Sequence, residues 1–398
     1  MKRITYLGTG VVLAAITGAA LSSVSHSGGA AAGPGRSGAV TPSATLLRMP
    51  SMNNPLVDLA PKSSLQVING IKTVAPEVPP PVTREQNKIV EYELTVRETA
   101  GKIAPNLNYL SLWTFDGVAP GPVMRVKVGD VIRFTLRSDT KNVTSHNIDF
   151  HFITGACGGC ADTGIKPGQS KTIEVRALYP GMFMYHCAYN QEGNMAAVHI
   201  ANGMYGFLIV DPKEPLPAVE HEFMLVESEF YVDSAGPGRG ICSLEGLMNE
   251  NPTYIFFNGK SAELNPPLTI HVNDRVRLYM GHGGVNGFAA FHVIGAIFDK
   301  VYPDGGTSDA PREHGIQTVT VPAGGATIVE FVAPVPGKLT AVDHNLSRVF
   351  FKGLGQVINV VGAPNHEIYE SLAPAGSTPY EPEIRMPGIA SSWAHTIR

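Results

Sequence analysis

The chain has 398 residues, and at roughly 150 residues per domain that length suggests two domains with further segments. Hydrophobic residues at 43% against charged residues at 16% exclude disorder along the whole chain, and a net charge of -4 leaves no basic excess to neutralise nucleic-acid phosphates. Gly 43 and Pro 31 predict many turns and short strands, and Cys 4 is too few for a disulfide scaffold.

The first 24 residues carry the pattern of an export signal, and the signal segment is taken to residue 27. Lys2 and Arg3 precede an uncharged apolar run from Val11 to Leu21, which Ser22, Ser23 and Ser25 break. An uncleaved membrane anchor is the alternative, because the uncharged stretch from Ile4 to Val24 approaches the ~20 residues of a span. Either way the folded part is expected in the periplasm or elsewhere outside the cytoplasm. Residues 28–85 are rich in Ala, Gly, Pro and Ser and predict a flexible N-terminal arm, in which Met49 and Met52 are read as incidental. A proline-punctuated tail is expected over residues 363–398.

Between these ends the sequence repeats weakly. Val126-Lys-Val-Gly-Asp130 resembles Ile270-His-Val-Asn-Asp274, and Pro180-Gly181 resembles Pro336-Gly337. Each copy then enters a strand carrying a histidine, and His344 in the second is read as occupying the same strand position as His186 in the first. Alternating β-branched runs between Gly, Pro and Asp turns predict an all-β protein of two tandem Greek-key β-sandwiches, 86–217 and 218–362.

One window concentrates the chemistry: His146-Asn-Ile-Asp-Phe-His151, then His186-Cys187, His199 and Met204. A Cys followed by His and Met, with an earlier His, is the donor set of a blue-copper (type 1) site. A buried structural Cys with surface His and Met is the plainer alternative. Strand alternation then separates His146, Ile148 and Phe150 from Asn147, Asp149 and His151. Adjacent His186 and Cys187 also face apart, so His151 and His186 should converge on a second site, on the order of 10 Å from the first. A third imidazole is needed there. His344 is the better ligand candidate, and His292, in Phe291-His-Val-Ile294, the better acid/base.

These residues resemble the pattern of copper-containing nitrite reductases over about residues 86–362. The resemblance implies a homotrimer of double-cupredoxin subunits with two coppers each, reducing nitrite to nitric oxide and water. It implies type 1 ligands His146, Cys187, His199 and Met204, and type 2 ligands His151 and His186 with His344 from the neighbouring subunit. Asp149 and His292 match the catalytic pair that delivers protons, and Ile294 the apolar residue shaping the nitrite pocket. The implied partner is a small periplasmic electron donor, a cupredoxin or a cytochrome c.

Two features depart from the family. The Cys187–His199 loop is several residues longer than usual, and Cys157-Gly-Gly-Cys160 follows His151. That pair is read first as free thiols, next as a disulfide, and least as a further metal site. Cys242 receives no role. A two-domain multicopper oxidase is the first rival, but it needs paired His-x-His motifs, and none of the 13 histidines lies two residues from another. A non-catalytic electron carrier is the second; it leaves Asp149, His151, His186, His292 and His344 without a purpose. His221, His271, His282, His314 and His366 are read as surface or turn residues, and His26 and His395 as tail residues.

Overall fold

The computed structural model describes residues 60–374, without 192 and 194, and residue 377. The expected signal, most of the arm and most of the tail lie outside the described residues, as do His26, His395, Met49 and Met52. Among the described residues no helix is long and apolar enough to cross a membrane.

The first half comprises β1 (Val67–Asn69), β2 (Lys72–Thr73), β3 (Ile89–Ala104), β4 (Leu107–Phe115), β5 (Val123–Lys127), β6 (Val131–Ser138), β7 (Asp149–Phe150), β8 (Ser170–Arg176), β9 (Gly181–His186) and β10 (Tyr205–Asp211), with the short helix α1 (Ala196–Ala201) before β10. The period of two is plain in β6: Ile132, Phe134 and Leu136 are buried, while Arg133 and Arg137 face out to Glu91 and Glu93 on β3 at 2.8 Å each.

The second half comprises β11 (His221–Phe230), β12 (Val232–Ser234), β13 (Arg239–Cys242), β14 (Tyr254–Phe257), β15 (Leu268–His271), β16 (Arg275–His282), β17 (Ala289–Ile294), β18 (Phe298–Tyr302), β19 (Arg312–Ile316), β20 (Thr318–Val321), β21 (Ala326–Val332), β22 (Gly337–Asp343) and β23 (Gln356–Val361). Helices α2 (Leu244–Met248) and α3 (Ser347–Lys352) complete it.

The two halves are wired alike. Strand order β4-β3-β6-β8 in the first is answered by β14-β11-β16-β21 in the second, and β5-β10-β9-β7 by β15-β23-β22-β17. Each half is thus a two-sheet β-sandwich with its own apolar core, around Phe134 and Leu208 in one and Phe291 and Leu278 in the other. The matched sequence turns are the same turn in space. Asp130 accepts the backbone N–H of Lys127 at 3.0 Å, and Asp274 that of His271 at 2.7 Å.

The halves exchange structure as well. Hairpin β12–β13 leaves the second half and adds to the first half's sheet, β13 pairing parallel with β4. Within the expected arm, β1 pairs with β3 and β2 with β5. A third apolar cluster, including Met184, Phe207, Met224 and Ile328, packs between the halves.

Candidate metal centre

Every side chain of the first donor set is fixed by backbone pairing. His146 bridges to Ile165, with its N–H donating to the Ile165 carbonyl at 2.9 Å. Cys187 follows the last residue of β9, and its N–H donates to the Met204 carbonyl at 3.1 Å. Met204 in turn donates its N–H to His199 at 3.1 Å, and His199 rides on α1. One short backbone circuit therefore holds Cys187, His199 and Met204 together, and all four side chains are fully buried.

Three of their donor atoms face one point. His146 Nδ1 and His199 Nδ1 lie 3.1 Å apart, and Cys187 Sγ is 3.2 Å from His199 Nδ1 and 3.8 Å from His146 Nδ1. Two imidazole nitrogens this close cannot both carry hydrogen toward each other. The His146 tautomer is set from behind: its Nε2 is 3.0 Å from the Glu98 carboxylate, which leaves Nδ1 with a free lone pair. Glu98 is fixed by the N–H groups of Thr144, at 2.8 Å, and Val143. Although burial pushes its carboxyl up, those bonds and His146 prevail and hold it below the ordinary carboxylate value. Burial, with His146 alongside, lowers the His199 imidazole to about 3, so it is neutral. Burial pushes the Cys187 thiol up to about 12, so its thiolate needs a cation beside it. A sulfur and two imidazole nitrogens facing one point suit a soft transition metal, and with Met204 buried on the adjoining backbone circuit they fit copper.

Trp113 packs edge-on against His146 and His199, with ring centroids 5.6 and 4.8 Å away. Asn147 donates its N–H toward Cys187 Sγ at 3.5 Å, and its side-chain oxygen accepts from the Ala188 N–H at 2.8 Å. Glu98, Trp113 and Asn147 escape a reading of the sequence. Only Asn147 lies beside a ligand in the chain; the other two reach the site through the β3–β4 pairing.

The second donor set occupies the other face of the same two strands. Asp149 on β7 pairs with His186 on β9. Asp149, His151 and His186 gather their donor atoms within 4.8 Å of one another, with His151 Nε2 and His186 Nε2 3.1 Å apart and Asp149 Oδ2 3.7 Å from His186 Nε2. Burial and the neighbouring His186 lower the His151 pKa, favouring the neutral ligand form. Asp149 and His151 face this second set, as strand alternation leads one to expect, but Asn147, expected with them, precedes the regular strand and sets its side-chain oxygen 3.6 Å from Cys187 Sγ.

His292 and His344 form a separate pair, ring centroids 5.4 Å apart, in the second half. His292 Nδ1 is 2.7 Å from the Gln317 carbonyl, so that nitrogen is the donor and Nε2 is the free one. Ile294, two residues along β17, is 46% exposed. Among the described residues, no metal-binding group within one chain joins His344 to His151 and His186.

Three expectations are corrected. His344 does not occupy the strand position of His186. Counting from the matched Pro-Gly turns and following the β9–β7 and β22–β17 registers, Val342 takes that position, Asp343 that of Cys187, and His344 that of Ala188. The same registers make Asp149 and His292 equivalent, and likewise His151 and Ile294. His282 is not at the surface but buried, its imidazole lowered to about 4 by burial, within a cluster where Arg348 bonds Asp343 at 2.8 Å and Glu227 at 3.1 Å. Cys157 and Cys160 are not free thiols but a disulfide, Cα atoms 5.1 Å apart, because the turn between them folds back through positive φ. His221 and His271 both face Asp274 Oδ2, at 2.8 and 3.4 Å. Asp274 is the turn carboxylate matched to Asp130, which accounts for that cluster.

Comparison with known proteins places this geometry first in a class. A family model described as multicopper oxidase matches residues 98–215, the part holding the first donor set. The relatives are more specific. The copper-containing nitrite reductase of Neisseria meningitidis serogroup B is 40% identical over 313 residues, covering 77% of this chain and 78% of its own. That of Neisseria gonorrhoeae is 41% identical over 309 residues, covering 76% of each. The solved copper nitrite reductase of Nitrosomonas europaea aligns with a TM-score of 0.62 at 32% identity, over 70% of this chain and 96% of its own. The chain belongs to the copper-containing nitrite reductase family; it is an enzyme, and copper is its cofactor.

Proposed function

We propose that this enzyme reduces nitrite by one electron to nitric oxide, taking up two protons and releasing one water. His146, Cys187, His199 and Met204 would hold type 1 copper, and His151 and His186, with His344 of a neighbouring subunit, type 2 copper. Copper held by these residues would supply one-electron transfer at the first set and Lewis-acid binding of nitrite at the second. The observation carrying this reading is the peptide step from His186 to Cys187, which joins two donor sets on opposite faces of one strand end.

Asp149 holds and delivers one proton from Oδ2, the oxygen on the His186 side. His292, with Nδ1 anchored on Gln317, relays the second proton at Nε2. Ile294 walls the nitrite pocket. Because protons are consumed, turnover rises toward mildly acidic pH. Export to the periplasm and donation by a cupredoxin or cytochrome c complete the proposal.

The test is copper content per subunit together with nitrite-dependent nitric oxide release. Two coppers with release are expected; one copper without release would favour an electron carrier. Asp149→Asn should keep its copper and lose on the order of 100-fold or more in kcat. Full turnover in that variant would remove Asp149 from the reaction.

A further inference from the structure

The Cys157–Cys160 ring belongs to neither donor set, yet it reaches Asp149. Cys157, Gly158 and Gly159 have φ of 53°, 51° and 95°, three successive residues in the left-handed region. A non-glycine residue holds such backbone only where its surroundings enforce it. Here the disulfide closes the run, and Thr163 ties it to the neighbouring strand: its hydroxyl donates to the Gly159 carbonyl at 3.0 Å and accepts the Ile148 N–H at 3.1 Å. Closing so short a loop constrains the unfolded chain less than a long-range disulfide does, so its effect is mainly local.

The local consequence is contact with a carboxylate. A methyl group placed on Gly158 would stand 1.8 Å from Asp149 Oδ1 and 2.9 Å from its Cγ. The other oxygen, Oδ2, faces His186 Nε2 at 3.7 Å. Asp149 is therefore gripped with one oxygen against the Gly158 backbone and the other toward the second donor set. A glycine is required there both for space and for φ.

We infer that the Cys157–Cys160 disulfide is a positioning device for the reaction: it seats Gly158 against Asp149 and so fixes the carboxylate in the orientation that delivers a proton. Cys157, Gly158 and Cys160 are positioning residues, and the inference rests on Asp149 being the proton donor. The disulfide joins one exposed cysteine to another that lines a cleft of about 460 Å³ beside Asn147 and Ala188.

The experiment compares the copper-loaded full chain with C157S/C160S, G158A and D149N. Both positioning variants should lose on the order of 10-fold in kcat and shift the pH profile of turnover. Copper content and the visible absorption band should not change. C157S/C160S adds no bulk, so it decides the matter if G158A does not fold. A crystal structure of copper-free C157S/C160S should show Asp149 Oδ1 moved away from residue 158. Unchanged kcat and pH profile in C157S/C160S, with D149N impaired, would overturn the inference, as would a loss of thermal stability alone. Full turnover in D149N would instead overturn the role of Asp149, and the copper-free structure would still report whether the ring holds the carboxylate.

Discussion

At the scale of single residues, the first donor set is shaped as much by what stands behind it as by its own side chains. Glu98 fixes the His146 tautomer from 48 positions earlier in the chain, and nothing in its local sequence announces this. Removing it leaves the ring free to turn and Nδ1 free to carry the proton. Glu98→Ala should therefore lower copper affinity on the order of 10- to 100-fold, as measured by copper titration of the visible band. Unaltered affinity would mean that burial and Trp113 suffice to orient the ring.

At the scale of elements, the repeated turn explains how two dissimilar halves keep one topology. Asp130 is fully buried and accepts from Lys127 N–H at 3.0 Å, Lys88 N–H at 2.9 Å and Arg84 Nη1 at 2.7 Å. Asp274 caps the matching turn with histidines as partners. Asp130→Ala leaves one buried and one half-buried backbone donor and a guanidinium without their acceptor. Its unfolding free energy should fall by about 3 kcal/mol or more in denaturant titration. The same change at the more exposed Asp274 should cost less. Equal losses would show that burial is not what distinguishes the two turns. The turn was legible in the sequence as Gly-Asp and Asn-Asp; its partners were not, because they come from strands far away in the chain.

At the scale of the molecule, the two halves are joined by a buried ion network. Arg125 of β5, 2% exposed at its side chain, bonds Asp211 at 2.8 Å and Glu222 of β11 at 2.6 Å, and Glu222 also meets Arg277 at 2.8 Å. Burial alone would raise the Glu222 carboxyl, but the two guanidinium groups outweigh it and hold the pKa below its ordinary value of 4.5. The folded state thus binds fewer protons than the unfolded one in this window. The contribution of Glu222 is full above its ordinary value and is lost as pH falls through the lower folded value. Thermal unfolding should show wild type losing stability across that acidic range. Glu222→Gln should be weaker by roughly 3 kcal/mol at neutral pH and flatter below it. An identical pH slope in the variant would exclude Glu222 as the acid-sensitive joint. Assembly is tested at the same scale. If His344 completes the second donor set from a neighbouring subunit, as proposed, sedimentation should find the active form to be an oligomer; a stable active monomer would contradict that role.

The sequence by itself determined the class of fold, the doubling of the sandwich, and which histidines and cysteine gather into donor clusters. Those rest on local rules: period-two burial, Gly and Asp at turns, and the requirement of copper for sulfur and imidazole at short spacing. His146, Cys187, His199 and Met204 stand together in space as their types predicted. Strand alternation sent Asp149, His151 and His186 to the opposite face. Only the tertiary structure decided the rest. Residue equivalence between the halves depends on strand register, which placed Asp343 rather than His344 with the ligand strand's end. The pairing of Cys157 with Cys160 depends on left-handed backbone between them, and burial of His282 on packing from distant elements. The reason is common to all three. Local pattern fixes which face a side chain takes, while long-range pairing fixes what it meets there.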